Sequence, residues 1–375
     1  MGSVKDISVL RQPTHENLGS GIFTFSDSYS VFDWGRMPDQ IPGKGAALCM
    51  MSAYYFEPLA RAGWQTHYNG LAVDGEYANL ADLDRPCNQM GVWLLNVLKP
   101  VKRKPCDADE EKDAHSATVG DGENRAVYDY SAFQLLPRIT LVPMEFIYRN
   151  SLPLGSSVFK RLGSGQLTPA EMGLDAMPRE GDQLPKPFLD LSSKFEQSDR
   201  YMSWKEAERL AGLHPGESEK IRDYMSMANR LISEATAPLG LANEDGKFEF
   251  GFGDFAQDGT RSIMLVDALG TLDECRFTYK RDGTTIPVSK EVARRFYRRE
   301  QPEWVAATER AKKEHPGDWR DHVGIEPVPL PAEFRDMIGL MYQSVANEIL
   351  GRRRRLFEAP PLEEVMDYFA RQAVA

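Results

Sequence analysis

The chain has 375 residues, 42% of them hydrophobic, which is enough for a sizeable buried core and exceeds the usual length of one domain. Its formal net charge is −11, and because nucleic-acid-binding domains are usually basic, we do not expect nucleic acid as a partner. The sequence has no apolar run of about 18 residues, no apolar signal segment after Met1, and no CxxC pair among its cysteines. These features predict a cytoplasmic protein of two lobes without a membrane span, and the cysteines suggest neither a zinc site nor a redox motif.

The first half of the sequence mixes strand, helix and loop patterns. Residues 1–35 indicate strands and turns, and residues 45–62 carry apolar side chains at helical spacing. Residues 102–126 are charged and poor in apolar groups, so we expect a solvated excursion between two strands. Residues 139–148 form an apolar β-type run, in which Pro143 indicates an edge or a bulge.

The second half opens with a capping-box pattern at Ser203 to Glu206, which predicts a helix start, and a longer helix is predicted over residues 218–236. Residues 245–252 and parts of 261–267 alternate between polar and apolar side chains, and the turn-rich stretch between them predicts a hairpin. Helical patterns return at 289–300 and 332–350. The predicted fold class is therefore α+β.

Two carboxylates of the predicted hairpin form a candidate metal site. Side chains alternate between faces along a strand, so Lys247 and Glu249 point the same way, and Asp267 ends the partner strand. Two carboxylates together with substrate phosphates are a common way to hold Mg²⁺. The alternative is an ordinary solvent-exposed strand face with alternating charge, and the pattern alone favours that alternative.

Two further segments are candidates for anion binding. Arg149 follows an apolar strand and precedes a turn at Ser156, a combination that offers a guanidinium fork, a hydroxyl and backbone N–H groups. Lys44 lies between two glycines at a predicted helix start, although the spacing is not that of a Walker A loop. The alternative for the first segment is a basic loop on an acidic protein, and the second segment is a weak signal by itself.

Several segments form one ordered pattern, namely Gly2 to Asp6, Asp27 to Asp33 with Ile41 to Gly45, Thr66-His67, Pro143 to Asn150 with Gly155-Ser156, Leu189 to Lys194, Lys247 to Gly251, and Asp267 to Phe277. Taken in this order, the segments resemble the SAICAR synthetase family, the phosphoribosylaminoimidazole-succinocarboxamide synthases of purine biosynthesis. The resemblance runs from near residue 2 to near residue 300, and the ordered matches together are far more specific than any one of them.

The resemblance implies a fold of two lobes. An antiparallel β-rich N-terminal lobe would cover residues 1–140, with the phosphate loop and the 102–126 excursion. A mixed α+β ATP-binding lobe would cover residues 141–375, with the metal and nucleotide sites and a helical C-terminal extension.

The resemblance also implies roles for individual residues. ATP would be bound by Lys5, Leu136, Leu141, Glu249 and Asp267. Glu249 and Asp267 would hold Mg²⁺, and Lys247 would act with them in catalysis. The substrates would contact Asp33, Lys44, Arg149, Ser156, Lys194, Asp273 and Arg276.

The implied reaction joins 5-amino-1-(5-phosphoribosyl)imidazole-4-carboxylate (CAIR) to L-aspartate through an acyl phosphate, with ATP converted to ADP and phosphate. Such a reaction depends on positioning and charge stabilisation and requires no nucleophilic side chain. The sequence departs from the family pattern at Ala268, where a Glu is usual, at Glu274-Cys275, which replace two small residues, and at Ser3, where a Lys is frequent. Two alternatives therefore stand beside the ligase: a paralogous ATP-dependent amide ligase with another amine or carboxylate, and a nucleotide-binding regulatory protein. A homo-oligomer is left open.

Overall fold

The computed structural model describes residues 4–103, 115–119, 126–153, 155–281, 283–315, 317–351 and 355–374. Gly2 and Ser3 of the predicted phosphate loop lie outside the described residues, as does most of the 102–126 excursion. Helices and antiparallel sheets both occur in these ranges, which confirms the α+β class. No helix in the described part of the chain is long and apolar enough to cross a membrane.

An antiparallel sheet of five strands forms the N-terminal part, in the order β1-β2-β5-β3-β4. Side chains of β2 alternate between buried and half-buried, because one face of the sheet packs on the core and on helix α1. The strands are β1 (Lys5–Arg11), β2 (Gly19–Phe25), β3 (Tyr68–Val73), β4 (Glu76–Ala78) and β5 (Gln89–Leu94), and the helix is α1 (Lys44–Arg61).

A small sheet of three strands follows, in the order β6-β8-β7, formed by β6 (Val101–Arg103), β7 (Ser116–Val119) and β8 (Ala126–Asp129). Strand β7 lies inside the segment that the sequence predicted as a solvated excursion, so that prediction was wrong for residues 116–119. The physical reason is local: Ala117 is buried, and the strand pairs along its length with β8. Residues 104–114 and 120–125 of the excursion are outside the described residues.

The larger sheet is organised around β12, the predicted first strand of the hairpin. Its path is β11-β10-β12-β14-β15, while β13 and β9 pair with the C-terminal part of β12. The strands are β9 (Thr140–Leu141), β10 (Met144–Ser151), β11 (Gln183–Ser193), β12 (Leu241–Phe255), β13 (Arg261–Val266), β14 (Cys275–Arg281) and β15 (Thr284–Pro287). The hairpin prediction is confirmed by β12 and β13, and the break at Pro143 separates β9 from β10.

Helices cover one face of this sheet and join the C-terminal region to α1. Helix α4 packs on β10, β12 and β13, and α7 packs against α1 and α8. The predicted cap is confirmed at Ser203, whose hydroxyl accepts a hydrogen bond from the Glu206 N–H. The helices are α2 (Ser157–Gly163), α3 (Trp204–Ala211), α4 (Pro215–Thr236), α5 (Glu291–Glu300), α6 (Pro302–Glu314), α7 (Ala332–Leu350) and α8 (Leu362–Val374).

The two faces of β10 and β12 differ in character because side chains alternate along a strand. Phe146, Phe248 and Phe250 are buried on one face, where Phe250 lies against Tyr224 of α4 with ring centroids 5.8 Å apart. The residues between them point to the opposite face and are mostly charged. These charged residues are Glu145 and Arg149 on β10, and Asp245, Lys247 and Glu249 on β12.

Candidate active site

The hairpin brings the two predicted metal carboxylates into one cluster. Glu249 pairs across the sheet with Val266, and Asp267 is the next residue along the chain. In a continued strand Asp267 would point to the other face, but its φ of 68° turns the chain out of the strand. Its carboxylate forms an ion pair with Lys5, and Glu249 forms one with Lys194.

His67 holds the backbone at this turn. Its Nε2 lies 2.8 Å from the carbonyl oxygen of Asp267, and its backbone N–H donates to the carbonyl of Leu265 at 3.0 Å. Burial, together with the charge of Lys5, lowers the pKa of His67 to about 3. The ring is therefore neutral near pH 7, and Nε2 carries the proton that it donates to the carbonyl. This contact fixes a left-handed conformation that is uncommon for a residue other than glycine.

Lys247 stands among three carboxylates. Its Nζ lies 3.0 Å from Glu145 Oε1, 3.6 Å from Glu274 Oε2 and 4.0 Å from Glu249 Oε1. Burial opposes its charge, but the carboxylates of Glu274, Glu145 and Glu249 outweigh burial and raise the pKa of Lys247. For Lys5 the balance is reversed, since burial outweighs Glu274 and Glu249 and lowers the pKa. Lys247 is thus the more firmly charged of the two lysines.

Glu249 and Asp267 fit a hard divalent cation. Burial opposes ionisation of Glu249, but the ammonium groups of Lys194 and Lys247 outweigh it and lower its pKa, so the carboxylate is charged. The Glu249 and Asp267 side chains keep 11% and 16% of their surface exposed, so an ion can reach them. Two oxygen ligands with room for water and phosphate match the preference of Mg²⁺. A cation there would replace the ammonium groups that now pair with the carboxylates.

A second group of charges lies further along the same face, centred on Arg149. Its guanidinium is buried between Asp190, at 3.3 Å, and Asp245, at 3.4 Å. Arg276 also pairs with Asp245, with 2.7 Å between Nε and Oδ1, and Arg161 pairs with Asp190 at 2.6 Å. Each of the two carboxylates is therefore shared by two arginines.

Unsatisfied donors lie beside this group of arginines. In the described part of the chain, Ser156 Oγ and Arg161 Nε are buried without a hydrogen-bond partner. Ser156 is the residue before α2, and the hydroxyl of its neighbour Ser157 accepts from Arg149 Nη2 at 3.2 Å. Buried polar atoms are rarely left unpaired, so donors of this kind are suited to an anionic ligand.

Lys44 and Asp273 form a third, buried pair. Lys44 Nζ lies 2.7 Å from Asp273 Oδ2, and the hydroxyl of Tyr342 donates to Asp273 Oδ1 at 2.7 Å. Burial opposes ionisation of Asp273, but Lys44 and Lys290 outweigh it and lower its pKa. Lys44 thus neutralises a protein carboxylate in this structure.

The glycines beside Lys44 serve another protein carboxylate. The N–H groups of Gly43 and Gly45 donate to Asp27 at 3.1 and 2.9 Å, so the anion at this helix start is a side chain of the chain itself. A Cβ at Gly45 would come within 2.4 Å of the carbonyl oxygen of Phe25, so no other residue fits there without a backbone shift.

The remaining predicted residues are Asp33, Leu136 and Leu141. The Asp33 carboxylate is exposed and pairs with Lys312 at 2.6 Å, and its backbone carbonyl accepts from Arg320 at 2.8 Å. Leu136 is 43% exposed with a φ of 50°, and Leu141 lies on β9 opposite Gly251. The adenine-binding role of both leucines stays a prediction.

The sequence reasoning did not assign roles to several residues that complete the site. The alternation that singled out Lys247 and Glu249 also extends to Asp245, and on β10 to Glu145 and Arg149, so this signal was available. Residues that reach the site from elements other than β10 and β12 had no local sequence pattern that could have identified them. The unassigned residues are Glu145, Asp245, His67, Arg161, Asp190, Glu274 and Tyr342.

Comparisons with known proteins agree on one family. The sequence profile of SAICAR synthetase matches residues 2–311. A protein of Archaeoglobus fulgidus named "Putative phosphoribosylaminoimidazole-succinocarboxamide synthase" is 40% identical over 366 residues, 98% of both chains. The phosphoribosylaminoimidazole-succinocarboxamide synthase of Thermoplasma acidophilum is 25% identical over 355 residues, 94% of this chain and 98% of that one. The solved SAICAR synthase of Saccharomyces cerevisiae complexed with SAICAR has a TM-score of 0.57 at 19% identity, covering 94% of this chain and 93% of that one, and shares the fold.

Proposed function

Because the chain belongs to the SAICAR synthetase family, a family of ligases, we propose that it joins CAIR to L-aspartate with cleavage of ATP, giving SAICAR, ADP and phosphate in purine biosynthesis. The observation that carries the proposal is the charged face of β12. Glu249 at one end faces the candidate metal site, Lys247 stands in the middle, and Asp245 at the other end organises the arginines. One strand therefore aligns groups suited to metal, phosphate and nucleotide.

The chemistry requires an activated carboxylate. An oxygen of the CAIR carboxylate attacks the γ-phosphorus of ATP, and ADP leaves. The aspartate amine then attacks the acyl carbon, loses a proton and expels phosphate. Catalysis of the first step is mainly positioning and charge neutralisation. Lys5 and Lys247 would provide positive charge, and Glu249 and Asp267 would hold Mg²⁺, which neutralises phosphate charge when bound.

The arginine group is the proposed site of the nucleotide substrate. Arg149 and Arg276 present fixed guanidinium groups, and Ser156 Oγ is a buried donor without a partner among the described residues. Guanidinium and hydroxyl donors match the phosphate and carboxylate of CAIR. Lys194, which pairs with Glu249 and lies 3.6 Å from Glu145, would face the reacting carboxylate. Asp33, Lys44 and Asp273 complete the proposed contacts with substrates.

A second candidate is a paralogous amide ligase that uses another amine or carboxylate. The observation that favours it is a difference from the family pattern in the carboxylates that lie beside Glu249 and Asp267. Ala268 is buried where the family pattern usually has Glu, and Glu274 instead brings a carboxylate to within 3.6 Å of Lys247. This change leaves Glu249 and Asp267 in place and alters what surrounds them.

An assay of ADP release separates the candidates. We expect ADP and SAICAR when the purified protein receives Mg²⁺, ATP, CAIR and L-aspartate together, and neither product when CAIR or aspartate is omitted. Release of ADP only with another amine or acid would favour the paralogous ligase. Tight ATP binding without turnover on any of these mixtures would instead favour a regulatory protein.

Asp267→Asn tests the metal assignment. The variant keeps the shape of the side chain but loses a negative ligand, so turnover should fall by at least about a hundredfold, while the melting temperature changes little. Asp223→Asn, at an exposed aspartate on α4, is the matched control and should retain full activity. Normal activity of Asp267→Asn would refute the metal assignment.

Three further expectations from the sequence stay predictions. These are the cytoplasmic location, the homo-oligomer that the sequence leaves open, and the division into lobes at residues 140 and 141. The last can be tested by limited proteolysis, because a boundary between lobes should be cleaved before their cores.

A further inference from the structure

Two histidines and an aspartate meet beyond α6, and none of them is among the residues assigned to the candidate active site. His315 follows the last residue of α6. A short 3-10 turn comes next; Asp318 is the residue before it, and His322 is its last residue. One ligand atom of each residue lies within 4.8 Å of those of the other two. The two imidazole rings stack with centroids 3.7 Å apart, and His322 Nε2 lies 3.3 Å from Asp318 Oδ2.

We propose that these three side chains bind a divalent cation of the zinc class. Two imidazole nitrogens and one carboxylate oxygen suit Zn²⁺, Co²⁺ or Ni²⁺, whereas Mg²⁺ prefers oxygen ligands. A tetrahedral ion about 2.1 Å from each ligand requires ligand atoms roughly 3.4 Å apart. The separation between His322 and Asp318 is already close to this value. Water takes the fourth position.

The side chains have the freedom that binding requires. Both rings must rotate out of their stack to direct a nitrogen at one ion, and the exposed His322 is free of packing that would oppose this rotation. The backbone below them is anchored. The Asp318 N–H donates to the His315 carbonyl at 3.3 Å, and Trp319 packs against Trp34 with ring centroids 5.8 Å apart. An anchored backbone lowers the ordering cost of binding.

The site would connect two segments that both contact Asp33. Lys312, one turn before His315 on α6, pairs with the Asp33 carboxylate, and Arg320 in the 3-10 turn donates to the Asp33 carbonyl. An ion held between His315 and His322 joins the end of α6 to that turn. Binding of the ion therefore restrains Lys312 and Arg320, the two residues that contact Asp33, independently of what Asp33 itself binds.

Cobalt binding to the full-length, untagged protein tests the proposal. The protein is stripped of metal with a chelator and kept in saturating Mg²⁺, which blocks the Glu249–Asp267 pair. Co²⁺ is then added while its visible absorption is recorded. We expect one equivalent to bind with the absorption of a four-coordinate site, and Zn²⁺ to displace it. Zn²⁺ should also raise the melting temperature.

Variants assign the ligands. His315→Ala and His322→Ala should each weaken Co²⁺ binding by more than the roughly 10–100-fold that loss of an outer-shell partner costs, and should abolish the Zn²⁺-induced rise in melting temperature. Asp318→Asn should weaken binding in the same direction. His15→Ala, at an exposed histidine elsewhere, is the matched control and should behave as the unaltered protein. Metal-free melting temperatures should agree among all variants, since the replaced side chains are at the surface.

Two outcomes would overturn the proposal. One is an unaltered protein that binds no Co²⁺ in saturating Mg²⁺. The other is a His315→Ala/His322→Ala double variant that binds Co²⁺ with unchanged stoichiometry and affinity. Neither outcome bears on ligase activity, so the metal site and the proposed function are tested separately.

Discussion

At the scale of single residues, His67 shows how burial can shift the pKa of a histidine to well below neutral pH. An unfolded histidine takes up a proton near pH 6.5, but burial lowers the pKa of folded His67 to about 3. Between these values the unfolded chain binds more protons than the folded one, so this residue makes the folded state less stable as the pH falls. The contribution is up to about 1.4 kcal/mol for each pH unit in that window.

Replacement of His67 by Gln tests this linkage. A glutamine amide can still donate to the Asp267 carbonyl but does not titrate. Urea unfolding between pH 4.5 and 7 should therefore give a stability that depends less steeply on pH for His67→Gln than for the unaltered protein. His15→Gln, at an exposed position, should keep the original slope. Parallel slopes for His67→Gln and the unaltered protein would show that His67 titrates normally in the fold.

We expect the fold to tolerate the loss of Arg149, although the guanidinium is buried. Asp190 would keep Arg161 as a partner, and Asp245 would keep Arg276, so neither carboxylate would be left unpaired. Arg149→Ala should raise the KM for CAIR by on the order of tenfold to a hundredfold, through loss of charged hydrogen bonds. The KM for ATP should change much less.

Steady-state kinetics with each substrate varied in turn checks this prediction. Arg230→Ala is the control, because that arginine is exposed on α4, which packs on the opposite face of the sheet from the charged residues. An equal rise in both KM values for Arg149→Ala would count against a role in recognising the nucleotide substrate.

At the scale of elements, the alternation along β12 links packing to the site. Gly246 lies on the core face between Asp245 and Lys247, and it pairs with Tyr148 on β10 and Cys275 on β14. A Cβ at Gly246 would come within 2.6 Å of the Tyr148 hydroxyl oxygen and 2.8 Å of Cys275 Sγ. The strand therefore needs a glycine here to keep its neighbours on the charged face in place.

Gly246→Ala should lower the free energy of unfolding by about 1–3 kcal/mol, because the added methyl overpacks a tight core position. Activity should fall as well, since any shift of the strand moves the side chains of Asp245 and Lys247. Gly163→Ala is the control, because a Cβ there meets no atom within 4 Å. Urea unfolding curves of the three proteins measure the difference. Coincident curves would mean that the core absorbs the methyl group without cost.

At the scale of the whole molecule, sequence patterns predicted what is local and missed what is distant. Periodicity placed α1 and the β12–β13 hairpin, because helical and strand spacings are properties of neighbouring residues. It could not place Lys5 against Asp267, which lies 262 residues away, or give His67 its contact with the same turn. Strand β7 was missed because it is short and is stabilised by pairing with β8, which no local pattern records.

The candidate site shows the same limit. Asp273 and Lys44 were predicted as substrate contacts from the resemblance to the family. No sequence pattern indicated that these two residues pair with each other, or that Asp273 also contacts Tyr342 on α7. The family profile ends at residue 311, so α7 lies beyond the matched region. The packing of α7 on α1 nevertheless brings this C-terminal region to the start of α1, where Lys44 lies.

Tyr342 therefore connects the C-terminal region to the candidate site, and Tyr342→Phe tests that connection. The phenol donates to Asp273, whose other oxygen pairs with Lys44, so the variant removes one of two supports of a buried carboxylate. Loss of a hydrogen bond to a charged group should lower the free energy of unfolding by about 1.5–3 kcal/mol and raise the KM for CAIR. Tyr77→Phe, at a tyrosine that is 47% exposed, should change neither quantity. If Tyr342→Phe lost stability while every KM stayed unchanged, α7 would act as a structural support of the fold and not of the substrate site.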